Sequence, residues 1–185
     1  MHPQATPASS RLGKVWGVIV VVLLADQLIK WLVNRFIPPV FYSVYTYPYG
    51  GLGVFRNFFH IEFSINHLTN TGAAWGIGSN FQLWLLIVRI FLIAGLCFYL
   101  FYWNHRSLWN IPLALIIAGA ASNVLDFFFY GHVIDMFHFV IWNYDFPTFN
   151  LADSAISIGI ALLFFLNWLS PEEKKTSHPH SGILK

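Results

Sequence analysis

Long apolar runs alternate with polar stretches along this chain, at residues 15–33, 83–103, 108–125 and 151–169. Each run has about the 20 residues that a helix needs to cross roughly 30 Å of hydrocarbon. The pattern predicts an all-α membrane protein with an N-terminal segment at 1–14, a four-span domain at 15–169, outer loops at 34–80 and 127–150, and a tail at 170–185. A cleavable signal peptide is an alternative for the first run, because basic residues precede it. The apolar pattern continues past Asp26 to Val33, which favours a permanent span.

Composition agrees with this class. The 185 residues are 57% hydrophobic and 10% charged, with a mean hydropathy of +0.60, which excludes an ordinary soluble domain. The single cysteine, Cys97, excludes a disulfide within the chain. The sequence has no His-x-x-x-His motif and no cysteine cluster, so neither a metal nor another cofactor is expected.

The basic residues outside the apolar runs predict the orientation. Six of them lie in the N-terminal segment, the short loop after the second run and the tail, namely Arg11, Lys14, Arg106, Lys174, Lys175 and Lys185. The two longer loops hold only Arg35 and Arg56. Because cytoplasmic segments carry the excess of Lys and Arg, both termini are expected in the cytoplasm.

With this topology, four carboxylates fall at one depth. Asp26 lies roughly 16 Å along the outward-running first helix from Val15, beyond the membrane midplane. Asp126 ends the outward-running third span, Asp135 follows in the outer loop, and Asp153 lies in the first turn of the inward-running fourth span. Ionisable groups within membrane spans are expensive and usually functional. The pattern therefore predicts one site near the outer leaflet.

Polar pairs at helical spacing surround these carboxylates: Asp26 with Lys30, Asn123 with Asp126, and Asn150 with Asp153. Asp26 and Lys30 share a helix face and can pair, although a lysine can also extend to the interface. Asn150 and Asp153 have the spacing of a helix cap, which by itself requires no chemistry. A capped carboxylate is nevertheless well fixed for catalysis.

The first outer loop predicts a small sheet. Residues 60–66 alternate polar and apolar, the period of a strand with one buried face. The loop is rich in aromatic residues, which prefer the membrane interface, so the sheet is expected at the membrane surface. Small residues follow at 70–76, where the backbone can be approached closely.

Five segments together resemble the lipoprotein signal peptidase (signal peptidase II) family over residues 15–169. They are DQLIK at 26–30, NTGAAWG at 70–76, ASNVLD at 121–126, GHVIDM at 131–136 and FNLAD at 149–153. The resemblance implies four transmembrane helices with a small extracytoplasmic β-cradle. It also implies an aspartic endopeptidase of the bacterial inner membrane that removes signal peptides from diacylglyceryl-modified prolipoproteins, cutting before the lipidated cysteine.

The same resemblance implies roles for single residues. Asp135 and Asp153 correspond to the catalytic pair. The residues that would order the site or contact substrate are Asp26, Lys30, Asn70, Gly72, Asn123, Asp126 and Asn150. The implied partners are the lipid-modified prolipoprotein and membrane phospholipid, with no cofactor and no nucleic acid. Two adjacent carboxylates share a proton, so the ionised one can activate water while the protonated one binds the substrate carbonyl.

The chain departs from the family's usual pattern at two positions near Asp126. Phe127 stands where an arginine is usual, and Ser122 where a glycine is usual. Arg89, in the outer half of the second span, is our hypothesis for the missing charge, facing the bundle interior and pairing with Asp126 or a neighbouring carboxylate. The alternative is a guanidinium that extends outward to the interface. His132 and His138, on either side of Asp135, are expected to have structural roles.

Three other classes remain as alternatives. A proton or ion transporter also uses carboxylates within spans, but it would place them along a path to both faces. Here none lies in the cytoplasmic half of a predicted span. An intramembrane aspartic protease of the Gly-x-Gly-Asp type would carry that motif, which does not occur in this sequence. A non-catalytic scaffold leaves the clustered carboxylates unexplained.

Overall fold

The computed structural model describes residues 8–42, 50–72 and 81–169. Residues 1–7 of the N-terminal segment, residues 73–76 of the NTGAAWG motif and the tail at 170–185 lie outside this description. The helices are α1 (Ala8–Phe36), α2 (Gln82–Phe98), α3 (Asn110–Tyr130) and α4 (Leu151–Leu169). The strands are β1 (Leu52–Phe58), β2 (Ile61–Asn70), β3 (Val133–Ile141) and β4 (Tyr144–Asp145). A π-helical segment, Tyr99–Trp103, extends α2.

Four helical segments are long and apolar enough to cross a membrane, at Arg11–Tyr42, Gln82–Trp103, Ser107–Tyr130 and Leu151–Leu169. Many of their large apolar side chains are exposed, including Leu24, Phe91 and Phe164. Such a surface is stable against lipid and unstable against water. The predicted membrane fold with four helices and a small sheet is confirmed.

Helix α3 lies at the centre of the bundle and contacts each of the other three helices. Its approach to α4 requires glycine at two positions. A Cβ atom on Gly119 would lie 2.4 Å from the carbonyl oxygen of Ala152, and one on Gly159 would lie 2.7 Å from that of Pro112. Small residues let membrane helices pack at short distance, and here they bring α3 against the first turn of α4.

We therefore expect Gly119→Val to lower the melting temperature of the detergent-solubilised protein by several degrees, because the added side chain pushes the α4 backbone away. The measurement is thermal unfolding followed by circular dichroism. Gly17→Val is the matched control, since a Cβ atom on Gly17 meets nothing within 4 Å. Equal melting temperatures for the two variants would contradict the close packing of α3 on α4.

The third helix is longer than the apolar run that predicted it. It continues to Tyr130, five residues past the predicted end at 125, so Asp126 lies one turn inside the helix rather than at its end. Gly131 ends it in the left-handed conformation, with φ 77° and its N–H donating to Phe127 O at 3.0 Å. Gln82 Nε2 also donates to the Gly131 carbonyl at 2.6 Å. The stop signal is the glycine, which can adopt a positive φ without strain.

The sheet is antiparallel with strand order β1-β2-β3-β4. The alternating segment at 60–66 lies at the β1–β2 turn and in β2. Leu68 is opposite Asp135 and Asn70 is opposite Val133, so the end of β2 lies beside the start of β3. Buried Ile134 and Met136 on β3 pack with Val33 of α1 and with Ile37, the residue that follows this helix. This contact fixes the sheet on the end of the helix bundle where α3 ends and α4 begins.

Candidate active site

Asp135 and Asp153 come together although they lie on different elements. Asp135 is on β3 and is 2% exposed, whereas Asp153 is in the first turn of α4. Asn150 contacts both carboxylates: its Nδ2 donates to Asp135 Oδ1 at 2.7 Å and its backbone N–H donates to Asp153 Oδ2 at 3.3 Å. The two carboxylates line one cavity of about 450 Å³, whose lining residues also include Asn70, Gly72 and Asn123.

Helix capping fixes Asp153. Its backbone N–H donates to Asn150 Oδ1 at 2.8 Å, and its carboxylate accepts from the backbone N–H of Asn150. This reciprocal arrangement satisfies amides that the start of α4 would otherwise leave unpaired. The spacing of the two residues predicted this cap. Capping and placement beside Asp135 coexist, because Asn150 performs both with different atoms.

Two further amides hold the carboxylates from the sides. Asn70 Nδ2 donates to Asp135 Oδ2 at 3.0 Å, and Asn123 Nδ2 donates to Asp153 Oδ1 at 2.8 Å. Asn150 Nδ2 lies 3.2 Å from Asn123 Oδ1, which closes the network between the two sides. Each carboxylate thus accepts hydrogen bonds that fix its plane while leaving it directed at the cavity.

The proton affinity of Asp135 is strongly altered. Burial, followed by the negative charge of Asp153, raises the pKa of Asp135 from 3.8 to about 7. Hydrogen bonds from Asn70 and Asn150 and the positive charge of Lys30 oppose this increase. Asp135 therefore gains or loses its proton near neutral pH, whereas an ordinary aspartate is ionised there.

A buried charge cluster lies next to the carboxylates. Lys30 is 0% exposed, and its Nζ contacts Asp26 Oδ2 at 2.6 Å and Asp126 Oδ2 at 2.5 Å. The pairing of Asp26 with Lys30 is as their spacing predicted, and the alternative of a lysine extending to the interface is excluded by its burial. Nζ also donates to Asn123 Oδ1 at 2.9 Å, so the cluster is joined to Asp153 through one amide.

Sequence reasoning missed two members of this cluster. Ser122 Oγ donates to Asp26 Oδ2 at 2.7 Å, and Gln27 Nε2 donates to Asp126 Oδ1 at 2.6 Å. The backbone N–H of Ala152 adds a third link, donating to Asp26 Oδ1 at 2.8 Å. The available signal was Ser122 itself: a hydroxyl in place of the family's usual glycine, opposite a span that carries a carboxylate.

The hypothesis that Arg89 pairs with Asp126 is wrong. Asp126 is buried, paired with Lys30 and bound by Gln27 instead. Arg89 does face the interior, as expected, because it lines the cavity and its Nη2 donates to the carbonyl oxygen of Gly72 at 2.9 Å. Within the described parts of the chain, no carboxylate lies within ion-pair distance of Arg89.

The two histidines beside Asp135 differ in their surroundings. His138 is buried, its Nε2 lies 3.4 Å from Asp145 Oδ1, and its Nδ1 is 3.5 Å from Ser64 Oγ. Burial lowers the pKa of both His132 and His138. Neither lines the cavity that contains Asp135 and Asp153. No group of three or more His, Cys, Asp and Glu side chains suited to a metal ion occurs in residues 8–42, 50–72 and 81–169.

Two carboxylates that line one cavity, with a raised pKa for Asp135, are the arrangement expected of an aspartic peptidase, and the four apolar helices are typical of a membrane protein. The profile of the family described as Signal peptidase (SPase) II matches residues 18–169. The chain belongs to this signal peptidase II family.

Similar proteins and solved structures are consistent with this family. The lipoprotein signal peptidase of Burkholderia multivorans is 36% identical over 163 residues, covering 86% of this chain and 90% of the relative. That of Chlamydia pneumoniae is 40% identical over 152 residues, covering 81% of each chain. A bacterial membrane enzyme solved by the in meso method at 2.3 Å superposes with a TM-score of 0.71 at 25% identity, covering 90% of this chain and 94% of its own. A second, at 1.9 Å, gives 0.67 at 28% identity, covering 83% and 92%.

Proposed function

We propose that this protein removes signal peptides from diacylglyceryl-modified prolipoproteins, cutting before the lipidated cysteine with Asp135 and Asp153 as the catalytic pair. The observation that carries the proposal is the position of Asn150. Its side chain binds Asp135, its backbone N–H binds Asp153, and both carboxylates line one cavity. Family membership supplies the substrate class, and this geometry supplies the chemistry.

The roles that we assign to the two carboxylates follow from the raised pKa of Asp135. Asp135 carries the shared proton, since its pKa is raised to about 7, and donates it as a hydrogen bond to the carbonyl oxygen of the scissile bond. Asp153 is ionised and takes a proton from a water molecule as the water oxygen attacks the carbonyl carbon. When the C–N bond breaks, Asp153 returns this proton to the leaving amine and Asp135 recovers its own.

The remaining site residues order the pair. Asn70 and Asn123 fix the carboxylate planes, and Lys30, held between Asp26 and Asp126, fixes the amide of Asn123. Because Nζ can only donate, the Asn123 oxygen must face Lys30 and the Asn123 nitrogen must face Asp153. Gly72 lines the cavity with its backbone, which leaves room for an extended peptide.

The cavity suits a lipidated peptide at the membrane surface. Beside the polar groups it is lined by apolar side chains of α4 and of the segment before it, including Phe146, Phe149 and Ile156. Ile160, one helical turn beyond Ile156 on the same face of α4, is exposed, and so is Phe164 one turn further on. Acyl chains of a diacylglyceryl group would follow this surface into the bilayer while the peptide crosses the carboxylates.

The distribution of basic residues supports a bacterial inner-membrane orientation with both termini in the cytoplasm and the site near the outer leaflet. The charge cluster joins α1, α3 and the start of α4 at one level of the bundle. Residues 34–80 and 127–150 would then connect the spans on the outer side. Accessibility labelling of single cysteines placed at Ser107 and Phe59 would test this, with only the second expected to react from outside.

The direct test of substrate class compares the purified protein with two forms of one prolipoprotein, with and without the diacylglyceryl group. We expect cleavage of the modified form and turnover at least about tenfold slower for the other, because the lipid holds the cysteine at the carboxylates. Products are followed by mass spectrometry. Equal cleavage of both forms would show that the diacylglyceryl group is not needed for recognition. Cleavage of neither form by the folded protein would refute the proposed peptidase function.

Activity should fall as the pH rises through about 7, because Asp135 must be protonated to bind the carbonyl oxygen and its pKa is raised to about 7. The same shift acts on stability: the contribution of Asp135 is fully present below pH 3.8 and is lost as the pH rises to about 7. The check is kcat/KM between pH 5 and 9. A rate that increases steadily across this interval would contradict the assignment of the proton to Asp135.

A further inference from the structure

Arg89 is the basic residue that lines the cavity around Asp135 and Asp153. Its helix, α2, is peripheral, with Leu86 its single buried residue, so a charged side chain could have pointed away from the site. A guanidinium in a membrane-spanning segment is costly and is retained where it binds something. Arg89 is directed at the cavity wall and binds the carbonyl oxygen of Gly72 there.

Three consecutive hydrogen bonds lead from Arg89 to a catalytic carboxylate. Arg89 Nη2 donates to Gly72 O at 2.9 Å, and the backbone N–H of Gly72 donates to Asn70 Oδ1 at 2.9 Å. Asn70 Nδ2 then donates to Asp135 Oδ2 at 3.0 Å.

The middle bond determines what Asn70 offers to Asp135. The Gly72 N–H can only donate, so the amide oxygen of Asn70 must face Gly72 and its NH₂ group must face the carboxylate. If the amide turned over, its oxygen would oppose the Asp135 oxygen. Sheet pairing of β2 ends at Asn70, opposite Val133, so it does not hold Gly72. Arg89, on α2, restrains Gly72 through the hydrogen bond to its carbonyl oxygen.

We propose that Arg89 is a positioning residue of the peptidase reaction: by holding the Gly72 carbonyl, it keeps the Gly72 N–H on Asn70 and thereby directs the Asn70 amide at Asp135. This inference rests on the proposed function. It differs from a role as a counter-charge, because what Arg89 transmits is the orientation of a neutral amide. It also differs from substrate binding, because its partner belongs to the chain itself.

Arg89→Leu is expected to lower kcat on the order of tenfold with little change in KM, since the loss acts on the carboxylate and not on substrate affinity. The high-pH limit of activity should move upward, because the hydrogen bond from Asn70 favours the ionised form of Asp135. Arg89→Lys should recover only part of kcat, since the ammonium keeps the charge but lacks the reach and shape of the guanidinium. Should Arg89→Leu not be recovered folded, Arg89→Lys carries the same test.

A double-mutant cycle separates the possibilities. If Arg89 acts through Asn70, adding Arg89→Leu to Asn70→Ala should cost almost nothing further. Arg35→Leu is the matched control, because Arg35 is exposed at the end of α1. Independent losses that multiply in the double variant would overturn the proposal, as would a large rise in KM with kcat unchanged, which would make Arg89 a substrate contact.

An infrared titration of the Asp135 carboxyl band, identified by its absence in Asp135→Asn, tests the same link without any substrate. The titration of this band should move to higher pH in Arg89→Leu and in Asn70→Ala by similar amounts. An unchanged titration in Arg89→Leu would overturn the inference. A shifted titration in a protein that cleaves no prolipoprotein would sustain the structural link while refuting the proposed function.

Discussion

Asp135→Asn and Asp153→Asn are each expected to reduce turnover on the order of a thousandfold or more, because each substitution keeps the shape of the side chain and removes the proton transfer. Asp135 is buried and Asp153 is capped, so the uncharged amides fit the same positions. The measurement is kcat for a diacylglyceryl-modified prolipoprotein with each purified variant.

The double variant should be little slower than either single variant, since the two carboxylates act as one unit. Asp145→Asn is the matched control: its carboxylate lies on β4, is 54% exposed and contacts His138 rather than the cavity with the pair. Near-normal turnover in Asp135→Asn would show that this residue is not catalytic. Multiplying losses in the double variant would contradict a shared proton.

Lys30→Met is expected to lower the free energy of unfolding more than any other single substitution proposed for this protein. It leaves the carboxylates of Asp26 and Asp126 buried without a counter-charge, and breaking a buried ion pair in this way costs about 3–5 kcal/mol. Folded yield and melting temperature in detergent measure the effect. Lys14→Met, on an exposed face of α1, is the matched control.

A second substitution should restore part of this loss, and the structure distinguishes which one. Asp26 keeps two donors without Lys30, from Ser122 Oγ and the Ala152 N–H. Among the residues that the structure describes, Asp126 keeps one donor, Gln27. Asp126→Asn should therefore rescue Lys30→Met better than Asp26→Asn does. The reverse order of rescue, or a stability for Lys30→Met equal to that of Lys14→Met, would refute the charge balance described here.

Local spacing predicted those parts of the site that lie on one helix. Asp26 and Lys30 pair because four residues bring side chains to one face, and Asn150 caps α4 because its spacing from Asp153 matches the geometry of a first turn. Segment length and charge bias predicted that the carboxylates lie at one level, and Asp26, Asp126 and Asp153 are indeed joined there through Lys30 and Asn123. These features depend on contacts between residues that are near in sequence.

Contacts between different secondary-structure elements could not be predicted from local spacing. Ser122 reaches Asp26 from 96 residues away and Arg89 reaches Gly72 from 17 residues away, so neither partner can be inferred from the spacing within one helix. The pairing of Arg89 with Asp126 is wrong because the sequence predicts only a similar depth for the two residues and not their angular positions in the bundle. Helix packing determines those angles, and Gly119 and Gly159 were not recognised as its contact points.

The most direct test of the central claim is cleavage of a diacylglyceryl-modified prolipoprotein in H₂¹⁸O containing hydroxylamine, with the released signal peptide analysed by mass spectrometry. Direct attack by water between Asp135 and Asp153 predicts a signal peptide that ends immediately before the lipidated cysteine, carries ¹⁸O in its new carboxylate and forms no hydroxamate. A hydroxamate would reveal an acyl-enzyme intermediate, and cleavage at another bond would reveal a different specificity. Either result would contradict an aspartic signal peptidase that activates water with this pair.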